Sequence, residues 1–256
     1  EIDFSVPHLY FSVKIDIMAK MCIHTARRKF GGIIINNFLS GLDWSYLTNK
    51  LIIIIPALLC ITFHELSHGF VAYKLGDNTA KDEGRLTLNP IKHIDIIGLI
   101  MMIFAGFGWA KPVPVNMNNF KNPKMGMAVT ALAGPVSNLL LSAFVLFFYG
   151  LAAGSVGNAA ALGNVWLQML FTTAYLSCML AVFNLLPIPP LDGSKILFSL
   201  LPERQYYKLM QYERFGMIIL LVIILTGSLS TYLSTGVGWV FDRLFVIAQW
   251  SAGLLS

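Results

Sequence analysis

LIIIIPALLCITFHELSHGFVAY, residues 51–73, decides how the rest of the chain is read. It is apolar over about 23 residues, long enough for a helix to cross a hydrocarbon core about 30 Å thick. Its only acidic, basic or imidazole side chains are His64, Glu65 and His68. An ionised side chain at membrane depth costs about 2.5–3.5 kcal/mol on insertion scales. Three such groups within five positions therefore call for something at the site that compensates them.

The whole composition agrees with that stretch. Of the 256 residues 56% are hydrophobic and 12% charged, against about 25% charged in soluble domains, so the chain reads as a membrane protein. The net charge of +5 and the pI of about 9.1 belong to the distribution of Lys and Arg among loops, not to a nucleic-acid footprint. Cys22, Cys60 and Cys178 lie far apart, with no C-x-x-C pair, and read as small apolar residues.

Outward from residues 51–73, further spans are expected at about 126–150, 165–187 and 215–234, with a weaker one at 239–255. No charged residue lies between Lys124 and Asp192. Residues 96–110 are too short for a crossing, are broken by Gly98, Gly106 and Gly108, and run into KPVPVN (111–116). A re-entrant segment is expected there, because interrupted backbone is tolerated at depth only where protein or a wet cavity covers it. Arg85 to Leu88 alternate polar and apolar and read as a short strand. The fold class is thus an all-α polytopic membrane protein of about four to six transmembrane helices, with a short re-entrant or β segment near the site. Residues 1–47 read as an N-terminal extension and 48–256 as the membrane-embedded domain. Since the chain opens on Glu1, a processed product or fragment is expected. Lys74, Lys81, Arg85, Lys92, Lys111, Lys121 and Lys124 share one side with Lys195, Arg204, Lys208 and Arg214, and the positive-inside rule makes that side the cytoplasm. The cluster Arg27, Arg28, Lys29 falls on the opposite side.

His64-Glu65-Leu66-Ser67-His68 is H-E-x-x-H. On a helix, positions i and i+4 share a face, so two imidazoles can close on one metal ion while the Glu lies beside a bound water. Catalytic zinc takes a third protein ligand and leaves one position open. No histidine follows at the spacing that a metzincin needs. Glu83, in a polar turn, is the local candidate. Asp192 is the stronger one, because it ends the uncharged stretch and follows Pro187-Ile188-Pro189-Pro190, where a helix must unwind and the freed backbone opens a cavity. A carboxylate merely capping the next helix is the plain alternative for Asp192.

Five motifs in order carry a resemblance: HELSH (64–68), GRLTLNPIKHID (84–95), GFGWAKPVPVN (106–116), ALAGPVSNLLL (131–141) and FNLLPIPPLDG (183–193). From about Leu51 to Leu233 the chain resembles the site-2 protease family of intramembrane zinc metalloproteases, in its compact bacterial branch without a PDZ or CBS domain. The resemblance implies His64, His68 and Asp192 as ligands of one Zn2+ per chain, Glu65 as general base, and Asn184 as a residue that positions the scissile carbonyl or its oxyanion. His93 also matches the branch pattern and reads as a hydrogen-bonding loop residue. Asn138 reads as a helix-packing amide.

The expected function is hydrolysis of peptide bonds within or near transmembrane segments, in regulated intramembrane proteolysis. The expected partners are a membrane-protein substrate with a transmembrane helix and the lipid bilayer, in the bacterial cytoplasmic membrane. An extended substrate segment is expected to pair with a strand edge at 85–88 or 113–116. The rival reading is a divalent-metal transporter or channel, which accounts for the buried ligands but not for Glu65 beside them, and which would show paired broken helices in two repeated halves. No such repeat is visible.

Overall fold

The computed structural model describes residues 44–105, 109–156 and 164–254. The proposed extension over 1–47 falls almost wholly outside these residues. Eight helices carry the described chain: α1 Trp44–Lys74, α2 Thr79–Asp82, α3 Ile96–Ala105, α4 Pro123–Val156, α5 Val165–Asn184, α6 Asp192–Ser199, α7 Glu203–Thr226 and α8 Ser230–Ala252. The sole β feature among the described residues is an isolated antiparallel bridge between Ile94 and Ala110.

Helix α4 is the central element and packs on α1, α5, α6 and α8. Its two faces show which solvent it was selected for. Leu132, Val136, Leu140, Phe144 and Phe148, four residues apart, are all exposed, while Thr130, Asn138 and Ser142 are buried. Apolar side chains outside with polar groups inside is the arrangement that hydrocarbon selects. Three helices, Ile52–Lys74, Pro123–Ser155 and Val165–Asn184, are long and apolar enough to cross a membrane.

In the core, Leu146 and Tyr149 of α4, Phe171 and Cys178 of α5, and Phe241, Phe245 and Ala248 of α8 form one buried cluster. Ring pairs Phe171–Phe241 and Tyr149–Phe171 meet edge to face at 5.5 and 5.6 Å, a favoured aromatic geometry. Helix α8 reaches α4 because Gly150 and Gly154 present no Cβ. At Gly150 a Cβ would strike the Ala248 carbonyl and the Ser251 hydroxyl, and at Gly154 it would come 2.7 Å from the Ala252 carbonyl. Glycines four apart are the usual device for close helix approach in membranes.

The expected spans at 126–150 and 165–187 are present. The second stops at Asn184, as the prolines require. The expected spans at 215–234 and 239–255 are redrawn. Gly227, at φ 71°, ends α7 and turns the chain into α8 four residues before residue 234. Helix α7 turns apolar from Phe215 on, and α8, though 23 residues long, is not apolar enough to count as a span. The expected strand at 85–88 is not formed. Arg85 is buried and its guanidinium donates to the Lys111 and Pro112 carbonyls at 2.8 and 3.3 Å, and the Thr87 N–H turns back to the Arg85 carbonyl. That hold bends the segment out of any ladder. Within the expected re-entrant run, α3 rises only about 15 Å, half the thickness of a hydrocarbon core, and residues 106–108 lie outside the described ones.

Candidate metal centre

The site lies where residues of α1 and α6 meet against α4, and it adjoins the aromatic core: Ser177, next to Cys178 of that cluster, donates to the Asn138 carbonyl at 2.8 Å. Helical periodicity puts His64 and His68 one turn apart on α1, with ring centroids 4.6 Å apart and planes at 89°. Asp192 arrives from far along the chain. Helix α5 ends at Asn184, Pro187 to Pro190 carry the chain across, and α6 opens on Asp192. Gly193 allows this fold-back, since a Cβ there would collide with the Leu185 carbonyl.

The Asp192 Oδ2 stands 3.1 Å from His64 Nε2 and 3.2 Å from His68 Nε2. All three side chains are buried, and one ligand atom from each lies within 4.8 Å of the others. Yet Oδ2 is buried without a hydrogen-bond partner of acceptable direction among the described residues. The donor set can be tested against zinc. A tetrahedron with bonds of about 2.0–2.1 Å has edges of roughly 3.3 Å, close to the two separations seen. Two imidazoles and a carboxylate also match the ligand types of catalytic zinc. The three residues fit the metal. Glu83, the local rival, is exposed in the turn after α2 and outside this group.

Each neighbour of the trio has a role that chemistry can name. The Thr130 carbonyl accepts from His68 Nδ1 at 2.7 Å, which places the ring proton on Nδ1 and the lone pair on Nε2, toward Asp192. Asn138, fully buried, sets its amide 3.3 Å from His64 Nδ1. Gly134 brings the α4 backbone against both rings. The Val113 N–H donates to Glu65 Oε2 at 2.9 Å, so the loop after α3 holds the carboxylate next to the histidine pair.

That loop is itself lashed down. Asp77, just past the end of α1, is fully buried and accepts from the Asn116 N–H at 2.7 Å, from Asn119 Nδ2 at 2.7 Å and from the Thr79 N–H and hydroxyl. Burial opposes its charge, but the hydrogen bonds from Thr79, Asn119 and Asn116 prevail and hold its pKa below the ordinary value. Arg85 grips the same loop at Lys111 and Pro112. The expected docking edge at 113–116 is thereby largely spent. Val113 and Asn116 have committed their N–H groups and Pro114 has none, so within 113–116 it is Val115 whose N–H has no partner among the described residues.

Two expected residues stand apart from the trio. Asn184 Nδ2 donates to the Leu180 carbonyl of its own helix at 2.9 Å. His93, 1% exposed, meets the Thr87 carbonyl through Nε2 at 2.9 Å and braces its loop, as a hydrogen-bonding residue should. The contacts made by Thr130, Val113 and Gly134 had no signal in the sequence beyond their place inside apolar or Pro-rich motifs.

Comparison with known proteins agrees with this geometry. Residues 150–227 match the model of peptidase family M50. The chain is 46% identical over 184 residues to "Putative zinc metalloprotease YwhC" of Bacillus subtilis, covering 68% of this chain and 80% of that protein. It is 30% identical over 203 residues to "Putative zinc metalloprotease Rip2" of Mycolicibacterium smegmatis, covering 77% and 76%. With "Putative zinc metalloprotease MJ0611" of Methanocaldococcus jannaschii it shares 31% over 159 residues, covering 60% and 75%. No solved structure matches. The chain belongs to peptidase family M50, the site-2 protease family, and is a zinc metalloendopeptidase of the membrane.

Proposed function

We propose that this enzyme cleaves peptide bonds within or near the transmembrane segments of membrane-protein substrates, as in regulated intramembrane proteolysis. The depth of the site carries the proposal. In the span Ile52–Lys74, His64 lies about 18 Å from one end and about 15 Å from the other at 1.5 Å per residue. A scissile bond must reach that depth to meet the metal.

In this reading His64, His68 and Asp192 hold one zinc ion and Glu65 is the general base. Zinc, when bound, lowers the pKa of an attacking water and polarises the scissile carbonyl. Glu65 is oriented through Oε2 by the Val113 N–H. Its other oxygen takes the proton of the attacking water and passes it to the leaving amine. Asn184 has two amide N–H groups, one engaged with Leu180, and the second serves the scissile carbonyl or its oxyanion. The three ligand side chains are buried, so the charge contacts among them act in a low dielectric. A substrate helix shields its own carbonyls and must unwind locally before it can be cut. Substrate and lipid bilayer are the partners. The shared side of the Lys-bearing loops supports the bacterial cytoplasmic membrane, with the site opening toward the cytoplasm.

The test is cleavage of a membrane-anchored substrate in proteoliposomes. Glu65→Gln should lower kcat by about 10²–10⁴-fold with zinc content unchanged. Cleavage at the wild-type rate would remove Glu65 as the base. Cleavage confined to water-soluble peptides would remove the intramembrane reading.

A further inference from the structure

We infer that Asn138 is a positioning residue that selects the ring tautomer of His64, and so sets whether that imidazole can accept zinc. The inference rests on the zinc site proposed above. Ligation through Nε2 needs the lone pair there, so the ring proton must sit on Nδ1, and a buried Nδ1–H needs an acceptor.

The two histidines meet this demand differently. His68 faces the Thr130 carbonyl at 2.7 Å, a group that can only accept, so its tautomer is fixed. His64 faces the carboxamide of Asn138 at 3.3 Å, which offers an acceptor on one side and donors on the other. With Nδ2 toward the ring the amide donates, Nδ1 is the acceptor and the ring proton lies on Nε2, where it blocks the metal. Oδ1 is then left buried without a partner among the described residues. A half turn of the amide sets Oδ1 against Nδ1–H and frees the Nε2 lone pair. Only that second setting leaves His64 able to ligate through Nε2, and it also gives the buried Oδ1 the partner it otherwise lacks. The Asn138 backbone is anchored separately, through its carbonyl, by the Ser177 hydroxyl at 2.8 Å, so changing the side chain leaves that α4–α5 contact in place.

The experiment is zinc affinity by chelator competition on the purified full chain, for wild type, Asn138→Leu, Asn138→Asp and His64→Ala. Asn138→Leu, close in shape but without an acceptor, should weaken zinc binding 10–100-fold. Asn138→Asp, which can only accept, should bind at least as tightly as wild type. A purely packing amide predicts the reverse order, with Leu tolerated and a buried Asp harmful. Wild-type affinity in Asn138→Leu, or weaker binding by Asn138→Asp than by Asn138→Leu, overturns the inference. Should either variant not fold, 15N-histidine spectra of the wild type decide the matter. In the zinc-bound protein His64 should carry its proton on Nδ1 and show it hydrogen-bonded to the Asn138 carboxamide oxygen, and an Nδ1–H without that hydrogen bond overturns the inference. Wild-type protein that binds no zinc would instead refute the proposed site, whereas binding lost in His64→Ala but kept in Asn138→Leu refutes only the role of Asn138.

Discussion

A Cβ on Gly134 would stand 2.5 Å from His64 Cε1 and from both Cε1 and Nε2 of His68. The α4 backbone is thus the wall on which the two imidazoles rest, and a methyl group there must push one ring out of line with Asp192. Overpacking of this kind costs about 1–3 kcal/mol, and a misplacement of about 1 Å at a reacting centre costs on the order of 10²-fold in rate. Gly134→Ala should therefore lose most of its zinc and at least about 100-fold in proteolysis. Metal analysis together with a cleavage assay checks this, and a full complement of zinc in the variant would contradict it. Asp192→Ala should likewise empty the site, because two histidines on one helix leave zinc short of its usual three protein ligands.

Among the elements, the loop between α3 and α4 matters more to the chemistry than its irregular form suggests. It supplies one backbone N–H, that of Val113, to the proposed base, and it is held at Lys111 and Pro112 by Arg85 and at Asn116 and Asn119 by Asp77. Arg85→Met keeps the buried stem but removes the guanidinium hold. It should lower kcat by roughly tenfold while zinc content stays at the wild-type level, since no proposed ligand touches Arg85. Loss of zinc together with activity would show that Arg85 supports the fold and not the base. Asp77 gives the same loop a pH dependence of known sign. Its folded pKa lies below its ordinary value of 3.8. The stabilisation it provides is complete above that value and is lost as pH falls through the lower folded one. Thermal melting followed downward from pH 5 should show wild type losing stability below about pH 4, whereas Asp77→Asn should begin less stable and change less over that window. Parallel curves for the two proteins would remove this role.

At the scale of the whole molecule, the bundle brings Asp192 to a histidine pair far from it in the chain, and the aromatic cluster is built from α4, α5 and α8, helices that carry none of the three donors. The metal should therefore act as a clasp between α1 and α6. Zinc at 100 times its Kd stabilises by about 2.7 kcal/mol, so chelation should lower the melting midpoint by roughly 5–10 °C and abolish cleavage, and added zinc should restore both. A chelated enzyme that melts unchanged would mean that the metal does not bridge the two helices in the folded state.

Residues 51–73 determined the first span, and the H-E-x-x-H within it determined the histidine pair, because helix length and the i, i+4 face are local properties of a chain. Asp192 was legible for a related reason: three prolines in four positions cannot continue a helix, and the carboxylate follows them. The limits were equally physical. The α7–α8 boundary at Gly227 depends on a left-handed backbone that apolar windows do not register, and Arg85 to Leu88 alternate like a strand but bend because a buried guanidinium seeks two carbonyls 26 and 27 residues away. What only the tertiary structure decided were the supports of the site: the Thr130 carbonyl, the Val113 N–H, the Asn138 amide and the bare Gly134 backbone. Most of these act through main-chain atoms that every residue possesses, and all act across 48 to 74 positions of sequence, so only packing reveals which of them meets a ring or a carboxylate.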